Sequence, residues 1–225
     1  FIVNGKVCSS TAAVTSPVMK ILLNGSQHCT GAYVGANTIL TASHCLDGIT
    51  CDDLSVENSG GTQIIAASEC LVHPLYNQGD EPQQNDVGII KLANDFDGII
   101  PVKIATSSAL VGADSAFAGY GRSESNDDEL RATFNAVSDV STEVISTFYT
   151  RGDDNEGTTC NGDSGGPLFT FLDGEWKTHG TLSDGSATNC ALTGTSPKTD
   201  KSNWANLVAP TNQSFIKDNT SGVLD

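Results

Sequence analysis

Apolar residues come in short runs along this chain, and small polar turn formers separate the runs. Val18–Leu23, Cys29–Val34, Thr38–Ala42, Thr62–Val72, Val87–Leu92, Ser115–Tyr120, Leu130–Val137, Leu168–Phe171 and Trp176–Leu182 read as strands. Asn24-Gly25, Ser59-Gly60-Gly61, Asn77-Gln78-Gly79 and Asp173-Gly174 stand between them, and Gly, Asn and Asp tolerate the dihedrals of tight turns. Helical periodicity is weak until the end, where Pro210-Thr211-Asn212 starts a short helix carrying Phe215 and Ile216. Many short strands with this punctuation predict an all-β sandwich or barrel. No internal repeat or low-complexity linker interrupts the pattern. Pro101–Ala113 reads as the crossover between two halves, 1–107 and 108–225, and Gly152–Thr159, acidic and glycine-bearing, as a surface loop.

At 225 residues the chain can form one large all-β domain or two small barrels. No apolar run approaches the roughly 20 residues a membrane span needs, and with no signal peptide in view a mature or trimmed chain is expected. Acidic residues outnumber basic ones 27 to 11, for a net charge of −16. That balance argues against nucleic-acid binding, because phosphates would be repelled. The seven cysteines, Cys8, Cys29, Cys45, Cys51, Cys70, Cys160 and Cys190, include no Cys-x-x-Cys. Several disulfides in an oxidising compartment are therefore expected, which means a secreted, extracellular protein with one thiol left over.

The run Cys160-Asn161-Gly162-Asp163-Ser164-Gly165-Gly166-Pro167-Leu168 exposes one hydroxyl among backbone N–H groups. A serine hydroxyl needs a base within reach, and the base needs a partner that fixes its tautomer. His44, in Thr41-Ala42-Ser43-His44-Cys45, and Asp86, at the head of Asp86-Val87-Gly88-Ile89-Ile90-Lys91-Leu92, are the candidates. Gly162–Gly166 also fits the nucleophile elbow of α/β-hydrolases, but that fold wants Asp and then His after the serine. Only His179 follows Ser164, and the strands do not alternate with helices.

Together these motifs resemble the chymotrypsin/trypsin family of serine endopeptidases. The resemblance begins at Ile2-Val3-Asn4-Gly5, runs through Leu71-Val72-His73-Pro74 and Gly119-Tyr120-Gly121, and ends at Phe215-Ile216-Lys217. It implies two six-stranded antiparallel Greek-key barrels, an active site in the cleft between them, and a short C-terminal helix. It implies His44 as general base and acid, Asp86 as its orienting partner and Ser164 as nucleophile. The N–H groups of Gly162 and Ser164 would form the oxyanion hole. Ser183 would support Asp86, and residues Ser183, Asp184 and Gly185 would pair with substrate backbone as an added strand. Asp184 replaces the aromatic residue usual there. Thr158, with Thr159 and Asn161, would line the specificity pocket, whose neutral floor predicts an uncharged P1 residue, aromatic or medium aliphatic. Asp200 or Trp204 could each alter that pocket if folded into it.

Disulfides Cys29–Cys45 and Cys160–Cys190 match family pairs, and elimination leaves Cys51–Cys70. Cys8 is then free, buried and inert, or bound to a lost propeptide or second chain. Val56–Ala67 is too short for the family's calcium loop, so neither metal nor cofactor is expected. In this family a freed amino terminus at Ile2 would pair with Asp163. Phe1 precedes it, so either the chain is a zymogen cleaved after Phe1, by itself given a neutral pocket, or it matures with Phe1 in place. Protein or peptide substrates, and protein protease inhibitors, are the expected partners of a monomer. The alternative class is a catalytically silent homologue that binds or inhibits.

Overall fold

A computed structural model describes residues 2–12, 14–79, 84–121, 129–150, 155–186 and 199–224. A short strand, β1 (Lys6–Val7), precedes β2 (Val18–Leu23), β3 (Ser26–Gly35), β4 (Thr38–Thr41), β5 (Leu54–Glu57), β6 (Ile64–Val72) and β7 (Gly88–Leu92). A second short strand, β8 (Lys103–Ile104), leads to β9 (Asp114–Gly119), β10 (Arg131–Val140), β11 (Val144–Thr150), β12 (Pro167–Leu172), β13 (Glu175–Gly185) and β14 (Thr199–Asn206). One helix, α1 (Pro210–Asn219), closes the order, with proline in its first turn, where a missing N–H is harmless.

Strands β2-β3-β4-β7-β6-β5 close into one antiparallel barrel. In the other, β9-β10-β11-β14-β13-β12 run side by side, and β12 pairs back onto β9 to close six strands. The chain thus has the two-barrel architecture that the motifs imply. The turns Asn24-Gly25 and Asp173-Gly174 have positive φ at both residues, 51° and 78° in one and 54° and 83° in the other. That is the twist-matched two-residue hairpin, and it explains why a β-carbon-free residue follows Asn or Asp there.

Met19, Ile21, Ile39, Leu54, Val56 and Ile90 fill the first barrel, and Phe117, Val137, Ile145, Leu168, Leu182 and Trp204 fill the second. A third apolar cluster lies between them. It joins Leu40, Val87 and Ile89 of the first barrel to Ala116, Phe169 and Ala205 of the second, and to Phe215 and Ile216 of α1. Burial of this shared seam, worth about 25 cal/mol per Å², fixes one barrel against the other and so fixes the cleft. The linking segment carries β8, which pairs in parallel with β13, and β1 pairs with β10. Both segments therefore dock on the second barrel.

The Gly152–Thr159 stretch is not a surface loop throughout. From Gly157 onward it is buried, because Val3 and Thr158 exchange backbone hydrogen bonds of 2.7 and 3.2 Å and Gly157 packs against Val3 and Thr133. Residues 152–154 lie outside the described residues.

Candidate active site

His44 sits on a short 3-10 turn, Ser43–Cys45, directly after β4. Cys45 is disulfide-bonded to Cys29 of β3, which ties that turn to the barrel wall. Because both sulfurs are spent in that bond, neither is a thiolate that could join His44 in holding a metal. Ser43 ties the turn a second way. Its hydroxyl donates to Val87 O at 2.8 Å and accepts from His73 N at 2.9 Å. Gly88 lets β7 press close beneath, since a β-carbon there would lie 2.8 Å from Ala42 O.

Asp86 is fully buried. Its Oδ1 accepts the backbone N–H of His44 at 2.9 Å, and its Oδ2 accepts His44 Nδ1–H at 2.7 Å and Ser183 Oγ–H at 2.7 Å. A carboxylate only accepts, so in the neutral imidazole the proton sits on Nδ1 and Nε2 carries the lone pair. Thr181 Oγ1 donates to Asp86 O at 3.1 Å. Preceding Asp86, Asn85 adopts a left-handed φ of 55°, which asparagine tolerates. Thr211 of α1 holds it by donating to Asn85 Oδ1 at 2.8 Å. The nearby Tyr76 phenol is pushed up to about 12 by burial first, then by the charges of Asp86 and Asp47.

Ser164 comes from the loop before β12, on the second barrel. Its carbonyl accepts Thr30 N at 2.8 Å, next to the Cys29 half of the disulfide. Gly165, at φ 77°, fits against the first barrel where a β-carbon would collide with Thr41 Oγ1 and come within 2.8 Å of Ala42 N. These contacts bring the Ser164 loop against the turn that carries His44. Ser164 Oγ and His44 Nε2 are not hydrogen-bonded to each other, a common feature of such sites without substrate. The N–H groups of Gly162 and Ser164 have no acceptor among the described residues. Gly162 is at φ 92°, a conformation that glycine alone adopts without strain, and its carbonyl is anchored by Thr30 Oγ1 at 3.1 Å.

Asp163 is buried, and its carboxylate accepts Gly121 N at 2.9 Å and Cys160 N at 3.0 Å. It leans on Gly119, where a β-carbon would overlap it. Ile2 is 1% exposed within the core of the second barrel. Its nitrogen is a peptide nitrogen joined to Phe1 in this sequence, so an ion pair between Ile2 and Asp163 requires cleavage at that bond.

Beside Ser164 lies a cavity of ≈ 240 Å³ lined by Thr159, Asn161, Leu182, Ser183, Asp184 and Gly185, among others. Thr158 stands behind it. Ser202 of β14, fully buried, joins the two threonines, with its Oγ 2.9 Å from Thr158 Oγ1 and 2.7 Å from Thr159 Oγ1. Trp204 is not in the cavity: it packs on Phe117 at 5.1 Å in the barrel core. Asp200 is fully buried and does not line it either. Cys51 pairs with Cys70. Cys160 is disulfide-bonded, and Cys190, the partner expected for it, lies outside the described residues. Cys8 is a free thiol, and it is only half-buried, with Sγ 3.2 Å from Lys6 O, rather than enclosed in the core as one expectation had it.

Two β-barrels with histidine and aspartate on one, and a serine loop pressed on it from the other, define a class. The Trypsin family model matches residues 2–202, and the chain belongs to that family of serine proteases. Among its relatives, it is 25% identical over 201 residues to Chymotrypsin-like elastase family member 1 of Macaca fascicularis, spanning 76% of this chain and 74% of that protein. It is 25% identical over 220 residues to the protein of that name in Felis catus, spanning 83% and 82%. To Kallikrein-4 of Homo sapiens it is 28% identical over 186 residues, spanning 75% and 72%.

Sequence reasoning missed Ser43, His73, Ser202 and Thr211. Each is a single polar residue whose partner lies on a distant segment, so no local spacing marks it.

Proposed function

We propose that this chain is a secreted serine endopeptidase that cleaves peptide bonds through an acyl-enzyme. Ser164 attacks the carbonyl carbon while His44 Nε2 takes the hydroxyl proton, and His44 then returns that proton to the leaving amine. Water repeats the sequence in reverse to release the acyl group. Asp86 holds the ring and stabilises the imidazolium. The Gly162 and Ser164 N–H groups receive the oxyanion, a contribution of about 3 kcal/mol for one such donor. The observation that carries this reading is the grip of a buried carboxylate on His44 through both N and Nδ1, with Ser183 on its third side.

The cavity beside Ser164 takes the P1 side chain. Thr159 lines it, and the Thr159 hydroxyl is bonded to that of the buried Ser202 behind it. Those hydroxyls supply no counter-charge for a buried cation, which would be costly to desolvate. The site therefore prefers uncharged P1 residues, aromatic or medium aliphatic, such as phenylalanine, valine or leucine. Disulfides on both sides of His44 fit an oxidising, extracellular setting. A scan of quenched-fluorescent peptides differing only at P1, run beside Ser164→Ala, tests the reading. Cleavage after Phe, Val or Leu that vanishes in the variant supports it. Efficient cleavage after Lys or Arg refutes the pocket assignment, and no cleavage of any peptide by folded protein refutes the enzyme.

A further inference from the structure

Asp184 lies on the wall of the Ser164 cavity, yet the chemistry of peptide hydrolysis makes no use of it. Strand β13 bulges here. Leu182 pairs with Trp204 and Asp184 with Asn203, so Ser183 is the inserted residue. The bulge lets Ser183 turn inward to Asp86 while Asp184 turns to β14. Asn203 Nδ2 donates to Asp184 Oδ1 at 2.5 Å, and Asn203 Oδ1 accepts Ser146 Oγ at 2.8 Å. Asn203 and Ser146 are buried, so the carboxylate is held by a fixed relay. Its other oxygen, Oδ2, has no hydrogen-bond partner, and no cation pairs with Asp184 among the described residues. Lys201, on the adjacent strand, is turned away and lies over the Phe148 ring, 5.8 Å from its centroid. His44, across the nucleophile loop, is itself engaged by Asp86.

We propose that Asp184 selects substrates with a lysine or arginine at P2, P3 or P4, the residues N-terminal to the one held in the cavity. The proposal rests on reading the chain as an endopeptidase whose substrate adds a strand along 183–185. A cation here differs from one at P1. Asp184 is half-exposed, so a guanidinium or ammonium can pair with Oδ2 without leaving water. Arginine gains more than lysine, because its fork can bond a carboxylate in a fixed geometry. The surplus of 27 acidic over 11 basic residues adds attraction of the same sign during encounter. A partly screened pair of this kind changes kcat/KM by about two- to fivefold.

The test uses quenched peptides with Phe, Val or Leu at P1 and Arg, Ala or Glu placed in turn at P2, P3 and P4. The readout is the Arg-to-Glu ratio of kcat/KM within each enzyme, so a general loss of activity in a variant cancels. The ratio should exceed about four at one or more positions, since each step from Glu to Ala to Arg contributes. It should shrink as salt is raised and fall to about one in Asp184→Asn, which keeps the acceptor for Asn203. Should that variant not fold, Asp184→Ser replaces it with the same expectation, and a ratio of the unaltered protein that salt leaves unchanged overturns the proposal. A ratio of one at all three positions, with the alanine peptide still cleaved, overturns this proposal and leaves the enzyme reading standing. So does a ratio that Asp184→Asn leaves unchanged. Cleavage of none of the peptides overturns the enzyme reading and this proposal with it.

Discussion

Gly165 is where the two barrels meet beside Ser164, and Gly165→Ala isolates that contact. A β-carbon there would collide with Thr41 Oγ1 and come within 2.5 Å of Thr30 O and 2.8 Å of Ala42 N, two backbone atoms that cannot rotate away. Gly174 supplies the control. It has a similar φ, 83° against 77°, at the opposite end of the β12–β13 hairpin, with nothing within 4 Å of its added β-carbon. Both substitutions carry the strain of a left-handed alanine, about 1–2 kcal/mol. Only Gly165→Ala adds overpacking, about 1–3 kcal/mol. A chain of this size loses roughly 2–4 °C in Tm per kcal/mol, so Gly165→Ala should melt about 2–12 °C below Gly174→Ala. The collision also pushes Ser164 away from the His44 turn, and a displacement approaching 1 Å costs on the order of 10²-fold in rate. Melting curves and kcat/KM on one peptide read both effects. Gly174→Ala should keep its activity within about twofold. Equal melting and equal activity of the two variants would refute the placement of Gly165 in the seam.

Ser183→Ala removes one of three donors to the Asp86 carboxylate, and kcat/KM should fall by about tenfold, mainly in kcat; an unaltered rate would show that the Ser183 hydrogen bond is dispensable. Burial lowers the pKa of both His73 and His179 in the folded protein. Their contribution to stability is therefore present above the ordinary histidine value of about 6.5 and is lost as pH falls through the folded values. The drop in Tm from pH 7.5 to pH 5 should be smaller in His73→Asn and His179→Gln than in the unaltered protein, and an equal drop would contradict the assignment. Cleavage between Phe1 and Ile2 should raise activity by letting the new amine pair with Asp163. Intact mass and rate measured together decide it, and equal activity with and without Phe1 would dismiss the pair.

The parts of the fold legible in the sequence were those with a local cause. Asn24-Gly25 and Asp173-Gly174 announce their turns because few other dipeptides accept two positive φ values. His44, Asp86 and Ser164 stand out because each sits in its own short, recognisable context. Strand β14, by contrast, escaped the apolar pattern. Its buried positions include Asp200, Ser202, Asn203 and Asn206, and polar residues enter a core only where hydrogen bonds receive them. Nothing in Lys-Ser-Asn-Trp announces that Ser202 will meet Thr158 and Thr159, which are more than 40 positions earlier. The same holds for Thr211 and Asn85, whose meeting needs α1 docked on the seam between barrels. The short strand β5 alternates cleanly, buried Leu54 and Val56 against half-buried Ser55 and Glu57, yet four residues are too few to stand out from a loop. Register explains the expectation for Trp204: it faces Leu182 in the barrel interior, and that pairing keeps the indole out of the cavity.

The most direct measurement is the site and rate of labelling by a serine-directed fluorophosphonate, followed by intact mass and peptide mapping. If His44 activates Ser164, one adduct per chain forms on Ser164, rapidly in the unaltered protein and at least 100-fold more slowly in His44→Ala. A folded protein that takes no label, takes it elsewhere, or reacts as fast without the imidazole would contradict it.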